Sequence, residues 1–454
     1  MPGLDALSRE DLIGLLGEAY KTLEEALGTI SEFKERVQAL EEEVARLRQD
    51  PPAAGGYAPR RNQAAAAEPR SRKKRSGGYS RMLEQPTQVR KHAADVCPDC
   101  GHRLCGGWFH RSRQVIEIPV VRYQVIEHEI WARHCGVCGK RVLPKASYGP
   151  EAVDGCRMGS RLTALVSYLK MRCRIPFRVI QSLLQIQFGL KVSLGELSEM
   201  LHRTASYGRE AYQQLLEEVR GSPGTHADET SWYLNGSYQC LWTFSTPKVR
   251  WYKLASTRGA VVPKEVLAGF GGVLSSDFYA GYSWYLGDHQ YCWAHLLRDL
   301  HALKEEHASD PSVVGWVDAV HGLYLQAREY ANDHPAKRRE ERFRLQKQLE
   351  ALALPCREGE MPQGRLARRM LNFLPSLFVF VEKPEIASDN NLAERALRPM
   401  VIARKISGGT RSEQGSNTVA TLMSLFGTWG VRGQNELEAC IQLLTASSPK
   451  PTTA

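Results

Sequence analysis

An acidic segment with strand-like alternation, residues 221–237 (GSPGTHADETSWYLNGS), constrains the fold more than any other part of the sequence. Its first residues are rich in Gly and Pro and predict a loop. Side chains on a β-strand alternate between the two faces of a sheet. We therefore expect Asp228 to share one face with His226 and Thr230, and Glu229 to point to the other face.

Further strand-like segments follow this one. Residues 238–245 (YQCLWTFS) and 250–255 (RWYKLA) are rich in aromatic and β-branched residues, and a Thr246-Pro247 break separates them. They predict a three-stranded meander. A second acid, Asp277, ends a further β-like segment, residues 271–282 (GGVLSSDFYAGY), which leaves room for the meander between the two acids.

A third acid lies on a predicted helix near the carboxyl end of the chain, within SDNNLAERALRP. Ser388 or Asp389 is suited to cap this helix, and Glu394 lies inside it. Asn391 and Arg398 fall on the same helix face as Glu394, at i−3 and i+4. Two acids at strand ends and one on a helix form an arrangement typical of a metal site.

Three carboxylates in one site repel each other unless cations neutralise them. Mg²⁺ or Mn²⁺ prefers oxygen ligands, and two such ions about 3.5–4 Å apart stabilise the attacking and leaving oxygens of a phosphoryl displacement. Any one acid alone is more simply a solvated or capping side chain. The order of Asp228, Asp277 and Glu394, each in a fitting element, favours the metal site.

Four motifs resemble those of the insertion-sequence-66-type transposases, a bacterial DDE group with a ribonuclease-H-like catalytic core. They are THADETSWYLNG, LSSDFYAGY, YCWAHLLRDL and SDNNLAERALRPMVIARKISGGTRSEQGS. The resemblance covers nearly the whole chain and implies that Asp228, Asp277 and Glu394 are the catalytic acids. Cys292 and His295 resemble a C-x-x-H signature that several DDE groups carry after the second Asp, and we expect them to support the site.

The length of 454 residues suggests three or four domains, and 43% hydrophobic residues are enough to fill their cores. With the predicted strands and helices, the family resemblance implies a multidomain α/β fold. No run of 18 uncharged apolar residues occurs, and the amino terminus does not resemble a signal peptide. We therefore expect no membrane association and a cytoplasmic, nucleoid-associated location in a bacterium. Eleven cysteines, an odd number, argue against a disulfide framework.

The net charge of +10 is concentrated in one segment. Residues 60–91 hold ten bases and two acids, whereas residues 1–50 hold twelve acids and six bases. We interpret residues 49–92 as a flexible basic linker that is attracted to phosphate backbones. The residues proposed for DNA contact there are Arg72, Lys73, Lys74 and Arg75.

Residues 10–48 follow a heptad pattern with apolar a and d positions, including Ile30 and Val37 at a and Leu40 and Leu47 at d. This pattern predicts a parallel coiled coil and hence a homodimer or higher oligomer. A single amphipathic helix packed on its own core is the alternative.

Two C-x-x-C-G knuckles within residues 93–148 predict a zinc-binding module, to which they contribute Cys97, Cys100, Cys135 and Cys138. Such knuckles complete a tetrahedral Cys₄ site, and redox dithiols are the alternative. Strand-like runs at 113–121 and 124–133 are expected to bring the knuckles together. Further candidate ligands are Cys105, His102, His110 and His134. The family resemblance also implies a zinc-binding domain at this place.

Apolar residues within 155–220 are spaced as in helices, and we predict that this helical segment binds DNA. A turn at 189–192 (GLKV) and a capping box at 193–196 (SLGE) separate two helices, as in a helix-turn-helix. A purely structural helical hairpin remains the alternative.

The catalytic core is expected at 221–430, with a helical insertion at about 300–380, followed by a carboxyl-terminal helix and tail at 431–454. Basic residues next to the third acid are suited to hold the DNA backbone; they are Arg395, Arg398, Arg404 and Lys405.

The sequence as a whole predicts a DNA transposase that cleaves and joins the ends of an insertion sequence, with Mg²⁺ or Mn²⁺ at the active site and structural Zn²⁺. Its expected partners are the terminal repeats, target DNA and, by the resemblance, small accessory proteins. The alternative is a non-catalytic DNA-binding protein derived from a transposase.

Overall fold

The computed structural model describes residues 83–144, 149, 151–153, 156–332 and 334–446, together with single positions between residues 9 and 38. Apart from those positions, the predicted coiled coil lies outside the described residues, and so does the basic cluster Arg72–Arg75. The chain divides into two compact units, one ending at Ile116 and the other beginning at Glu117.

The described residues between 83 and 153 contain little regular structure. A short antiparallel pair, β1 (Arg133–His134) and β2 (Arg141–Val142), flanks the second cysteine knuckle. The predicted strands at 113–121 and 124–133 are wrong, because only Arg133 among these residues lies in a strand. Side chains in both segments are exposed, with Val120 at 85% and Val125 at 80%. An alternating pattern forms a strand only where a neighbouring strand accepts its hydrogen bonds.

The helical pattern expected after residue 155 is confirmed by α1 (Ser160–Met171), α2 (Phe177–Leu183), α3 (Leu194–Tyr207) and α4 (Arg209–Arg220). A π-turn at Leu184–Phe188 extends α2 and ends at Gly189, whose φ of 75° lies in the left-handed region. Ser193 caps α3, because its hydroxyl accepts the Glu196 N–H at 3.1 Å.

A five-stranded mixed sheet lies at the centre of the second unit. Its strands are β3 (Gly224–Leu234), β4 (Ser237–Ser245), β5 (Arg250–Ala255), β6 (Val273–Ser276) and β7 (His289–Tyr291), in the spatial order β5-β4-β3-β6-β7. Strands β3, β4 and β5 form an antiparallel meander, which confirms the predicted one. Strands β6 and β7 run parallel to β3. The fold is therefore α/β with a mixed sheet.

Helices cover both faces of this sheet, and alternation along the strands decides which side chains meet which helices. Trp232, Leu241 and Tyr252 pack with α1, α3 and the last three helices: α11 (Asn391–Ser407), α12 (Glu413–Val431) and α13 (Glu436–Ala446). On the opposite face, Trp242 and Phe244 pack with α4 and with α5 (Val261–Val266).

Helices occupy the segment predicted as an insertion, about 300–380, and have a hydrophobic core of their own. They are α6 (Trp293–Glu306), α7 (Pro311–Tyr330), α8 (Pro335–Ala353), α9 (Gly364–Phe373) and α10 (Val379–Glu382). The side chains of Gln290 and Trp293 both donate hydrogen bonds to the carbonyl oxygen of Leu377, at 3.1 and 2.5 Å. The Gln290 bond joins the end of the insertion to the edge strand β7, and the Trp293 bond joins it to the start of α6. No helix in the described part of the chain is long and apolar enough to cross a membrane.

Candidate active site

The two aspartates lie side by side because their strands are parallel neighbours. In the register of β3 and β6, His226 is opposite Ser275. Continuing this register by two residues brings Asp277, just beyond β6, next to Asp228. Adjacent strands are about 4.8 Å apart, so the two carboxylates reach a common space. The Asp277 carboxylate accepts the Tyr279 N–H at 3.0 Å, which fixes the turn that follows β6.

The third acid, Glu394, lies in the first turn of α11. Asn390 holds the N-cap position without a side-chain capping bond, which corrects the predicted position of the cap by one residue. Of the two predicted caps, Asp389 does contribute, because its carboxylate accepts the N–H of Asn391, the first helical residue, at 3.0 Å. Asn390 donates from Nδ2 to the Ala227 carbonyl oxygen at 2.8 Å, and its Oδ1 lies 3.1 Å from His226 Nδ1. The side chain of Asn390 therefore attaches the start of α11 to β3, directly before Asp228.

The electrostatics of the site reflect the crowding of carboxylates. Burial, followed by the charges of Glu229, Asp277 and Glu394, raises the pKa of Asp228 to about 8 from a usual 3.8. Backbone hydrogen bonding opposes this shift, since Asp228 Oδ1 accepts the Glu229 N–H at 2.8 Å. A divalent cation would relieve both the burial cost and the repulsion.

Cys292 and His295 adjoin the third acid. Ligand atoms of Cys292, His295 and Glu394 lie within 4.8 Å of one another. Cys292 Sγ accepts the backbone N–H of Asn390 at 3.1 Å, and burial raises the pKa of this thiol. Cys292 therefore supports the start of α11.

Two buried atoms at this place have no hydrogen-bond partner among the described residues, Glu394 Oε1 and His295 Nδ1. Glu394 Oε1 is also 3.9 Å from His295 Nε2, too far for a hydrogen bond. Buried polar atoms usually have partners, so an unsatisfied oxygen of a carboxylate whose charge also raises the pKa of Asp228 fits a divalent cation as the missing partner.

The sequence did not reveal the partners of Glu229. As predicted, the side chain of Glu229 points to the opposite face of β3 from that of Asp228. The Glu229 side chain is 2% exposed. It accepts hydrogen bonds from Arg258 Nη2 at 2.7 Å and from the Tyr282 hydroxyl at 2.6 Å. The Arg258 guanidinium also lies 4.1 Å from the Tyr279 ring centroid. Arg258 is isolated in the sequence, and no local pattern marks it as a partner of the active-site strand.

The basic residues of α11 differ in their surroundings. Arg395, Arg398 and Lys405 are exposed. Arg404 is half-buried, and its Nη1 donates to the Thr230 hydroxyl at 3.2 Å and to the Ser231 carbonyl oxygen. Arg404 therefore joins α11 to β3, whereas the other three are accessible to a phosphate backbone.

Each cysteine knuckle, taken by itself, forms the turn expected of a zinc ligand pair. The Gly101 N–H donates to the Cys97 carbonyl oxygen, and the Gly139 N–H donates to that of Cys135, both at 2.9 Å. Both glycines have left-handed φ, 70° and 66°. Backbone N–H groups, first from Cys100 and then from Asp99, lower the pKa of the Cys97 thiol. Those of Cys138 and Val137 do the same for Cys135.

The chain matches one known protein family and is similar to two proteins of one bacterial strain. The family described as "Transposase IS66 family" matches residues 155–418, which span α1 to the start of α12. The chain is 25% identical over 429 residues to the uncharacterized protein y4qI of Sinorhizobium fredii (strain NBRC 101917 / NGR234), covering 85% of this chain and 76% of that protein. It is 24% identical over 368 residues to the uncharacterized protein y4jD of the same strain, covering 72% of this chain and 71% of that protein.

Proposed function

Because the chain belongs to the IS66 family of transposases, we propose that it is a metal-dependent DNA transposase with a ribonuclease-H-like core. The observation that carries this proposal is the placement of Asp228 and Asp277 on neighbouring parallel strands, with Glu394 close enough for its charge to raise the pKa of Asp228. The strand order β5-β4-β3-β6-β7, with an antiparallel meander followed by two parallel strands, supports the proposed core.

Two phosphoryl transfers make up the proposed reaction. A water oxygen first bonds to phosphorus at the element end, and the bond from phosphorus to the 3′ oxygen breaks and releases a 3′ hydroxyl. That hydroxyl oxygen then bonds to phosphorus in target DNA, and a second phosphodiester bond breaks. Bound Mg²⁺ or Mn²⁺ would supply positive charge to the attacking and leaving oxygens.

The chain's own residues hold and orient the reactants. Asp228 and Asp277 would bind the metal ions between them, and Glu394 would complete the ligand set. Arg395 and Arg398 lie on the same helix as Glu394, one and four residues further along, and are exposed. We assign them to the phosphates that flank the reacting bond, where an arginine fork binds two oxygens at once.

Zinc and self-association belong to the same proposal. We propose Cys97, Cys100, Cys135 and Cys138 as structural zinc ligands, because each knuckle presents two thiols with its own backbone N–H groups directed at the first sulfur. DNA contact by Arg72, Lys73, Lys74, Arg75 and Lys405, dimerisation through the heptads and accessory proteins remain part of the proposal.

The experiment that tests the function is strand transfer by Asp277→Asn. A variant that lacks one carboxylate should still bind terminal-repeat DNA but should lose joining by more than the roughly 10–100-fold typical of outer-shell changes. Asp318→Asn is the matched control, since Asp318 pairs with Lys304 on the surface of the insertion. Joining by Asp277→Asn at the control's rate would show that this carboxylate is not a ligand. Binding without joining by the unaltered chain would favour the non-catalytic alternative.

A further inference from the structure

A cavity of about 300 Å³ lies at the end of β3 remote from the first catalytic aspartate. Its walls come from α1, α2, α3, α11 and α12, and the rings of Trp232 and Phe177 line it. Ligand pockets range from about 300 to 1,000 Å³, so this cavity suits a single ring system better than a large molecule. Aromatic walls are suited to stacking against a nucleobase.

The charged groups of this cavity are all cationic. Lys170, Arg174 and Arg411 line it, and none of the lining residues is acidic. Within the described part of the chain, none of these three forms a salt bridge. Lys170 Nζ lies 4.7 Å from the Phe177 ring centroid, and burial lowers the pKa of this lysine. A cavity with an apolar interior and unpaired cations at its wall is suited to a ligand that has a ring and an anionic group.

Arg174 has a strained backbone conformation. Its φ is 59°, in the left-handed region that glycine adopts freely and other residues adopt rarely. It directly follows the turn at the end of α1, where glycine would relieve this strain. Strained positions of this kind are concentrated at binding sites.

The cavity and the catalytic acids lie along the same two elements. Trp232 is four residues beyond Asp228 on the same face of β3, roughly 13 Å at about 3.3 Å per residue. Ala403, which lines the cavity, is nine residues beyond Glu394 on α11, also roughly 13 Å at 1.5 Å per residue. One DNA strand advances about 3.4 Å per nucleotide along a duplex. The cavity therefore lies about four nucleotides from the reacting phosphodiester bond.

We propose that this cavity binds one unpaired nucleotide of the DNA strand that occupies the active site, with the base in the space that Trp232 and Phe177 line and its phosphate on Lys170, Arg174 and Arg411. The inference rests on the proposed function, because it takes the bound strand to be transposon-end DNA. It adds a site that reads an extruded base at a fixed distance from the cut.

The test measures binding in buffer without Mg²⁺ or Mn²⁺ and without a chelator, so that no chemistry contributes and the proposed structural zinc is kept. The probes are duplexes of the element's own terminal repeat, each with one mismatch at one of about six positions nearest the cleaved bond. Since a mismatch removes much of the cost of unpairing, we expect one position to bind at least about fivefold more tightly than the matched duplex. An abasic site at that position should abolish the gain.

Three variants locate the effect. Arg174→Gly removes a cavity cation while relieving backbone strain, so we expect an unchanged or higher melting temperature and no mismatch effect. Ala403→Phe fills the cavity and should have the same effect on binding. Arg357→Ala is the control for loss of charge, because Arg357 is an exposed arginine of the insertion, and it should retain the mismatch effect.

Opposite results would overturn the proposal. These are equal binding of all mismatched duplexes, or a mismatch effect that persists in both Arg174→Gly and Ala403→Phe or disappears in Arg357→Ala. Thermal protection by free deoxyadenosine monophosphate that depends on Arg174, without a mismatch effect, would assign the cavity to a free nucleotide. Strand transfer is assayed separately with Mg²⁺. A mismatch effect without joining would reject the proposed function alone, and joining without a mismatch effect would reject this site alone.

Discussion

Single residues in this protein have sharply different surroundings over short distances. Asp228 faces α11 and two other acids, and burial with repulsion raises its pKa to about 8. The next residue, Glu229, faces the opposite side and accepts hydrogen bonds from Arg258 and Tyr282. Among the described residues, Asp228 thus has no cationic side-chain partner, whereas Glu229 pairs with Arg258. This difference supports the proposal that Asp228 binds metal and favours a structural role for Glu229.

His289 gives the fold a predicted dependence on pH. Its Nε2 lies 2.8 Å from the Ser276 hydroxyl, and burial lowers the pKa of the ring to about 3 from 6.5. Between pH 6.5 and 3 the unfolded chain therefore binds a proton that the folded chain does not. The neutral His289 ring therefore makes its full contribution to the free energy of unfolding above pH 6.5. This contribution is lost as the pH falls, by roughly 2 kcal/mol at pH 5.

Urea unfolding at pH 7 and pH 5 measures this contribution. We expect His289→Gln to lower the free energy of unfolding at pH 7 but to lose less of it on going to pH 5 than the unaltered chain does. The control is His321→Gln, since His321 is exposed on α7. An equal acid-side loss in His289→Gln and the unaltered chain would mean that other groups cause it.

Among the elements, α11 has the largest part in the site, because it holds Glu394 at one end and borders the cavity at the other. Asn390 and Cys292 fix its start, and Arg404 fixes its later turns to β3. The acid motif and the helix could be predicted from local sequence. Their alignment could not, since the bond from Asn390 to the Ala227 carbonyl joins residues 163 positions apart.

Asn390→Ala tests this positioning role. Losing two buried hydrogen bonds should lower the free energy of unfolding by roughly 1–3 kcal/mol. If Asn390 aligns Glu394, the variant should also need a higher Mg²⁺ concentration for half-maximal strand transfer, an effect that destabilisation alone would not produce. Asn332→Ala removes an exposed Asn and should leave both quantities unchanged. An unchanged Mg²⁺ requirement in Asn390→Ala would restrict its role to stability.

Strand prediction succeeded and failed for the same physical reason. Alternation in 224–234 predicted both the strand and the side on which Asp228 lies, because β4 and β6 pair with that segment. Alternation in 113–121 and 124–133 was equally regular, yet these residues remain exposed. A local pattern indicates that a segment is able to form a strand, and only the rest of the fold supplies the partner.

For the whole molecule, the heptads of residues 10–48 predict self-association. Deleting residues 16–47 removes most of the apolar a and d positions, so we expect a dimer to become a monomer in sedimentation equilibrium. The control exchanges the a-position residues Ile30 and Val37 for each other, which preserves the pattern. A deletion variant that still dimerises would locate the interface elsewhere in the chain.

The central claim is that the chain is a metal-dependent transposase whose site includes Asp228. The most direct measurement is joining of a labelled terminal-repeat end to target DNA by the unaltered chain and by Asp228→Asn, each with Mg²⁺ and with EDTA. We predict joining only by the unaltered chain with Mg²⁺, while both proteins bind the labelled end. Joining in EDTA, or joining by Asp228→Asn at the unaltered rate, would contradict the claim.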